Sequence, residues 1–320
     1  MKAVMYHYVR GDTERQPNYY HLDIDDFRRQ LDYFEDNFGF VSQDQFFSII
    51  SDEQVNDGLP SGVVLTFDDG LRDHYDVVLP ELERRGLWGI FYIPTGPYVN
   101  DQLLDVHRIH VLLGEVSGVE LLEHARNIVD EDIIPYERRD QFREETYIDH
   151  NDTEVTKKVK RILNYFVSDK YQTEVLDELV RRVDHDPVNI SEFYITESEI
   201  RDMEDCGMIV GSHTVNHPVL SKLEKDNQRT EIADSFSFLD DVANKLPVRT
   251  FCYPYGTSHT FNEDTINILE EVNCKLSFKV EPSDVKEADL RNRIYALPRY
   301  DCNEFPHGSA SGSIGPSPSE

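Results

Sequence analysis

Apolar positions follow two rhythms along this chain, and their alternation predicts strands separated by helices. The opening residues 1–10, Met1-Lys2-Ala3-Val4-Met5-Tyr6-His7-Tyr8-Val9-Arg10, read as a strand. Between residues 24 and 38, Ile24, Phe27, Leu31, Phe34 and Phe38 recur at helical spacing, and Gly39 stands where a C-cap is wanted. Phe40-Val41 predicts a short strand, and residues 44–51 a helical turn or two. Gly62-Val63-Val64-Leu65-Thr66-Phe67 is a continuous apolar run that stops at Asp68-Asp69-Gly70. Such a run marks a strand buried on both faces, as in a parallel sheet. A helix follows over 73–85, closed by Arg84, Arg85 and Gly86. Gly89-Ile90-Phe91-Tyr92-Ile93 is the next buried strand, ended by Pro94. Strand, helix, strand with short connections is the βαβ unit of α/β proteins.

From about residue 101 to 190 the rhythm changes. The segment is charged and helix-leaning, with apolar repeats at Val106, Ile109, Leu112, Leu113 and at Val159, Leu163, Phe166, Val167. It predicts a helical insertion carried on a loop of the main fold. The strand–helix alternation returns near Ile200. Met208–Ser212, Val248–Tyr253, Leu276–Val280 and Ile294–Leu297 are the expected strands, with helices over 226–244 and 262–273. In this reading Pro298-Arg299 follows the last strand. Residues 1–307 then form one domain, and 308–320, rich in Gly, Ser and Pro, form a disordered tail.

Polar groups stand just beyond three of these buried runs. They are Asp68-Asp69, His213 with His217, and Tyr253-Pro254-Tyr255-Gly256. In parallel α/β folds the carboxyl ends of the strands share one mouth, so these groups converge. His213-Thr214-Val215-Asn216-His217 spaces two imidazoles four apart, within reach of one ion on a loop or a single turn, since Pro218 forbids a continuing helix. Imidazole suits Zn²⁺, and a carboxylate readily supplies a third ligand. Two adjacent carboxylates repel, and a cation on one relieves the conflict and leaves the other free to act as a base. His107 and His110, three apart, are a rival pair with no acidic cluster at a strand end beside them.

Thr66-Phe67-Asp68-Asp69-Gly70 and His213-Thr214-Val215-Asn216-His217 resemble the first two motifs of the polysaccharide deacetylases, the NodB-homology or carbohydrate esterase family 4 proteins. The resemblance covers roughly residues 1–100 and 196–307. It implies a distorted (β/α) barrel of the NodB-homology type with a central helical insertion. It also implies a base at Asp68 and metal ligands at Asp69, His213 and His217, with Zn²⁺ the expected ion. The third motif, R-x-P-[FY], aligns with Cys252-Tyr253-Pro254-Tyr255, where Tyr255 would offer its backbone N–H to an oxyanion. The motif's arginine is absent, because Cys252 takes its place. Leu297-Pro298-Arg299 resembles the late L-P-R segment of the exopolysaccharide deacetylase branch, so Arg299 is expected to pair with Asp68 from another strand. The histidine acid of the family's fifth motif, L-x-H, has no clear match; His307 and His7 are candidates.

The implied reaction is hydrolysis of an N-acyl group on an amino-sugar of a polysaccharide or its precursor. An O-deacetylase, or a sugar-binding module that keeps the ion without turnover, are the alternatives. The balance of 62 acidic against 32 basic residues, a net charge of -30, argues against nucleic acid and anionic membrane partners. No apolar stretch approaches the ~20 residues of a membrane span, and the N-terminus lacks the apolar core of a signal peptide. The four cysteines, Cys206, Cys252, Cys274 and Cys302, form no C-x-x-C pair. A reduced, cytoplasmic protein acting on an acylated amino-sugar or glycan is the expectation.

Overall fold

The computed structural model describes residues 1–11, 18–50, 58–129, 153–167, 169–183 and 188–310. Residues 130–152, 168 and 184–187 of the expected insertion and 311–320 of the expected tail lie outside the described residues. The chain divides into two compact units. One comprises the described parts of Met1–Gly11, His21–Gln102 and Ile190–Ser311, and the other centres on Leu103–Asn189.

The strands of the first unit are β1 (Lys2–Tyr6), β2 (Val9–Arg10), β3 (Leu22–Asp23), β4 (Val63–Asp68), β5 (Gly89–Ile93), β6 (Ile209–Ser212), β7 (Thr250–Cys252), β8 (Leu276–Val280) and β9 (Leu297–Asp301). Among the described residues, seven of them close a barrel in the order β1-β4-β5-β6-β7-β8-β9, and every pairing is parallel. β9 returns to β1 by pairing Tyr300 with Val4 and Asp301 with Met5. The fold is therefore the closed (β/α) barrel. β2 and β3 form a separate two-stranded sheet.

Side chains alternate across each strand, and the barrel sorts them into two cores. Ala3, Val64, Ile90, Tyr92, Ile209, Cys252, Leu276 and Leu297 pack together in the lumen. Their neighbours Val4, Tyr6, Leu65, Phe67, Phe91, Val210 and Phe251 point outward, against helix residues such as Phe27, Phe34, Leu82, Ile200 and Phe236. Both sets are buried, which is why the strands read as unbroken apolar runs. This parity also places function: Val64, Thr66 and Asp68 share the lumen side of β4, and Leu297 and Arg299 share that of β9. Gly211 must lack a side chain here, since a Cβ would lie 2.5 Å from the Tyr92 ring and 2.6 Å from Thr250 Oγ1.

Several expected boundaries move. The first strand breaks at His7-Tyr8 into β1 and β2. Phe40 makes only a single bridge, to Val63. The helix over 73–85 starts as a wide π turn, His74–Val78, before the α-helix Leu79–Arg85. Ile294–Ala296 is a short 3₁₀ turn, and Pro298 and Arg299 lie inside β9 rather than after a strand. The register explains the last shift: Leu297 and Arg299 must face the lumen for β9 to fill the gap between β8 and β1.

In the second unit, helix Asp105–Glu115 packs on Asp169–Val183, and Gly118–Arg126 packs on Glu154–Lys160. Ile109, Leu112, Leu121, Val159, Leu163 and Leu176 are buried there. No helix among the described residues is long and apolar enough to cross a membrane.

Candidate metal centre and active site

Asp68 is the last residue of β4, and Asp69 follows it with a left-handed backbone, φ 81°. Within a strand, successive side chains point to opposite faces. The left-handed turn lets both acids address one mouth, where His7 Nε2 lies 4.0 Å from Asp68 Oδ2 and 3.9 Å from Asp69 Oδ2. Thr214, His217 and Tyr255 also have positive φ, at 67°, 57° and 61°. For a β-branched residue such as Thr214 this conformation costs of order 1–3 kcal/mol and persists only where surrounding bonds enforce it.

His213 follows β6 directly, and the turn through His217 brings both rings to Asp69. Asp69 Oδ1 lies 3.5 Å from His213 Nε2 and 3.6 Å from His217 Nε2. The three candidate ligand atoms sit within 4.8 Å of one another, and all three residues are buried. Ligand atoms around a tetrahedral Zn²⁺ with bonds of about 2.0–2.2 Å would lie about 3.3–3.6 Å apart. The hydrogen bonding fits as well. His213 Nδ1 is 2.8 Å from the Cys252 carbonyl oxygen, which can only accept. That nitrogen therefore carries the proton and Nε2 keeps its lone pair. Burial pushes the His213 imidazole below its ordinary pKa even though Asp68 and Asp69 pull it up, so the neutral form faces Asp69. Two acceptors facing each other at this distance are what a shared cation resolves.

Asp68 has a cation of its own. Arg299 Nη1 donates to Asp68 Oδ1 at 2.8 Å and to Thr66 Oγ1 at 3.0 Å, and Nη2 donates to Asp68 Oδ2 at 2.6 Å. The pair is sealed in the lumen, with Arg299 and Asp68 1% and 2% exposed. Burial pushes the Asp68 carboxyl up, but the Arg299 charge and hydrogen bonds outweigh it and hold it below the ordinary range. Cys252 occupies the position of the missing arginine as a bridge: Arg299 Nη2 lies 2.9 Å from its sulfur, and the thiol donates toward Asp68 Oδ2 at 3.6 Å. Burial keeps that thiol protonated. Asp68, His213 and Cys252 are also close enough to share an ion, but the Arg299 guanidinium already fills that role.

Tyr255 stands over the same mouth, its ring 4.9 Å from that of His217. His7 sits where β1 breaks off, and its carbonyl oxygen is 3.0 Å from His74 Nε2. Burial holds the His74 imidazole down at about 4, so it is neutral and donates that bond. His307, the other candidate acid, is exposed in the turn after β9. His107 and His110 stay on a regular helix, His107 fully buried and His110 stacked on Tyr19 at 4.2 Å. Glu231 was not expected. Its carboxylate accepts from the backbone of Val215 and Asn216, between the two histidines. It lies mid-helix in an acidic chain, where it reads as one more solvated charge.

A family profile for polysaccharide deacetylases matches residues 56–277. A stretch of 120 residues is 28% identical to a putative polysaccharide deacetylase, YxkH, of Bacillus subtilis strain 168, covering 38% of this chain and 40% of that relative. The match thus spans well under half of the relative's length. The fold resembles that of the Streptococcus pyogenes deacetylase PplD, solved with acetate, over 94% of this chain and 91% of that one, with a TM-score of 0.55 and 19% identity. A de-N-acetylase from Aggregatibacter actinomycetemcomitans is similar over 93% of each chain, with a TM-score of 0.53 and 17% identity. At these identities the likeness speaks to the fold.

Proposed function

The chain belongs to the polysaccharide deacetylase family, and on that basis we propose that it is a metal-dependent hydrolase that removes the acetyl group from the nitrogen of an amino-sugar, in a polysaccharide or its biosynthetic precursor. One observation carries the reading: Asp69 Oδ1 meets both histidine Nε2 atoms at 3.5 and 3.6 Å, while the neighbouring Asp68 is held apart by Arg299. Both carboxylates neighbour His7, but only Asp68 is paired with Arg299 and only Asp69 meets both histidines of the turn at these distances, so the two can have different tasks.

Asp69, His213 and His217 would hold a divalent cation, Zn²⁺ by its ligand chemistry. Such an ion supplies Lewis acidity toward a water and an acyl oxygen. The rest falls to side chains and backbone. Asp68, ionised throughout neutral pH, accepts a proton from the attacking water as its oxygen bonds to the acyl carbon. The Tyr255 backbone N–H is assigned to the oxyanion, where one such donor contributes roughly 3–4 kcal/mol. The C–N bond then breaks, and the amine leaves with a proton. His7 is the better placed donor, because its Nε2 lies beside both aspartates and its backbone is held by His74, whereas His307 is exposed. The products are acetate and a free amino-sugar.

The test is acetate release from N-acetylated and O-acetylated oligosaccharides, before and after chelation and again after added Zn²⁺. Release from N-acetyl sugars that chelation stops and zinc restores is the expected result. Release confined to O-acetyl sugars makes the protein an esterase. Retention of zinc without turnover on either set makes it a sugar-binding module.

A further inference from the structure

The turn that carries the two histidines uses a backbone conformation that side-chain-bearing residues rarely adopt. Thr214 and His217 both have left-handed backbones within four residues. The bonds that hold it come from three directions. His213 N–H donates to the Ile93 carbonyl at 3.2 Å, and Thr95 and Gly96 N–H donate to the carbonyls of Thr214 and Val215 at 3.1 and 2.7 Å. The β5 side approaches so closely that a Cβ on Gly96 would lie 2.6 Å from the Val215 oxygen. Inside the turn, Thr214 Oγ1 accepts from His217 N–H at 2.9 Å.

The third direction is the helix Lys225–Val242. Glu231 Oε2 accepts from Val215 N–H at 3.0 Å and from Asn216 N–H at 2.8 Å, and Oε1 accepts from Asn216 Nδ2 at 2.7 Å. One helical turn further on, Ser235 Oγ meets Ser212 Oγ at 2.8 Å. One face of the helix thus grips the end of β6 and the turn after it. The two backbone amides that Glu231 holds lie between the ligands. A half-buried carboxylate is well suited to this, because hydrogen bonds to an ionised acceptor are about twice as strong as neutral ones.

We propose that Glu231 is a positioning residue of the metal centre: it fixes the turn that aims both histidine nitrogens at Asp69, and so sets the affinity for the ion. The role rests on the metal reading above. Groups that orient ligands from behind typically govern metal affinity by about 10–100-fold. Glu231→Ala should weaken zinc binding by that factor. Glu231→Gln should fall between it and the native protein, because one amide oxygen can replace only part of the carboxylate's acceptance.

The experiment measures zinc affinity by competition with a chromophoric chelator in the full chain and in Glu231→Ala, Glu231→Gln and Ser235→Ala. Amide exchange at Val215 and Asn216 is followed in the metal-free proteins. The expected result is the graded loss of affinity, faster exchange at those two amides in Glu231→Ala, and native affinity in Ser235→Ala, which leaves the amides held. Unchanged zinc affinity in Glu231→Ala overturns the proposal and leaves the metal reading standing. An equal loss in Ser235→Ala also overturns it, since helix packing would then be responsible. If the native protein binds no zinc, the metal reading falls and takes this role with it, while the exchange data still report whether Glu231 holds the turn.

Discussion

Two histidine pairs in this molecule look alike on paper and differ in what surrounds them. His107 and His110 lie on an unbroken helix, rings 5.7 Å apart, one sealed in the core of the helical unit and the other stacked on Tyr19. His213 and His217 lie on a turn with positive φ at two positions, rings 4.8 Å apart, with the Asp69 carboxylate reaching both Nε2 atoms. Among the described residues, the groups close enough to share an ion all include His213 and none includes His107 or His110. Spacing alone therefore does not single out the candidate site. What separates the pairs is a backbone bent out of regular structure next to a strand end that presents an acid.

The sharpest way to break that contrast is to remove one ligand. His213→Ala should abolish stoichiometric zinc and lower turnover by at least about three decades, the rate equivalent of several kcal/mol of lost Lewis-acid stabilisation. Metal analysis and acetate release check both. If turnover survives in His213→Ala, the site lies elsewhere.

Asp68→Asn separates base from ligand on the same turn. kcat should fall by about 10²–10⁴-fold with zinc content unchanged. Loss of the zinc as well would place Asp68 among the ligands.

Arg299→Ala leaves a buried carboxylate without its cation, which should cost about 3–5 kcal/mol in denaturant unfolding. It should also move the acid limb of the rate profile upward, because burial then acts on Asp68 without the Arg299 charge and hydrogen bonds that oppose it most. In the native protein Asp68 is held below its ordinary value of 3.8. The stability the pair contributes is therefore present above that value and is lost as pH falls through the depressed one. Activity should persist through the mildly acidic range and fade only below it. A rate profile that already falls between pH 7 and 5 in the native protein, with bound zinc unchanged over that range, would contradict this.

The smallest effect is expected in the other pair. His110→Phe keeps the stack on Tyr19 and should leave zinc stoichiometry unchanged. A fall in bound metal in that variant would reinstate His107 and His110 as ligands.

Much of this was legible in the residues themselves. Buried strands such as 62–67 and 89–93 announce themselves because both faces of a parallel barrel strand are covered, and the residues of the candidate site stand beyond such runs. Asp68, Asp69, His213 and His217 could be picked out for that reason, and the family motifs they match assigned them tasks. Arg299 could be named, but its strand was misplaced, since a proline beside it reads as an ending. What only the folded barrel decided are contacts between distant residues. Arg299 reaches Asp68 across 231 positions because β9 closes the barrel against β1 with Arg299 on the lumen side. His7 meets both acids because β1 lies beside β4 and breaks off at the mouth. Glu231 holds the histidine turn because its helix packs back over β6. Local patterns report which side of an element is buried. They do not report which distant element covers it, and in this protein Arg299, His7 and Glu231 all reach the candidate site that way.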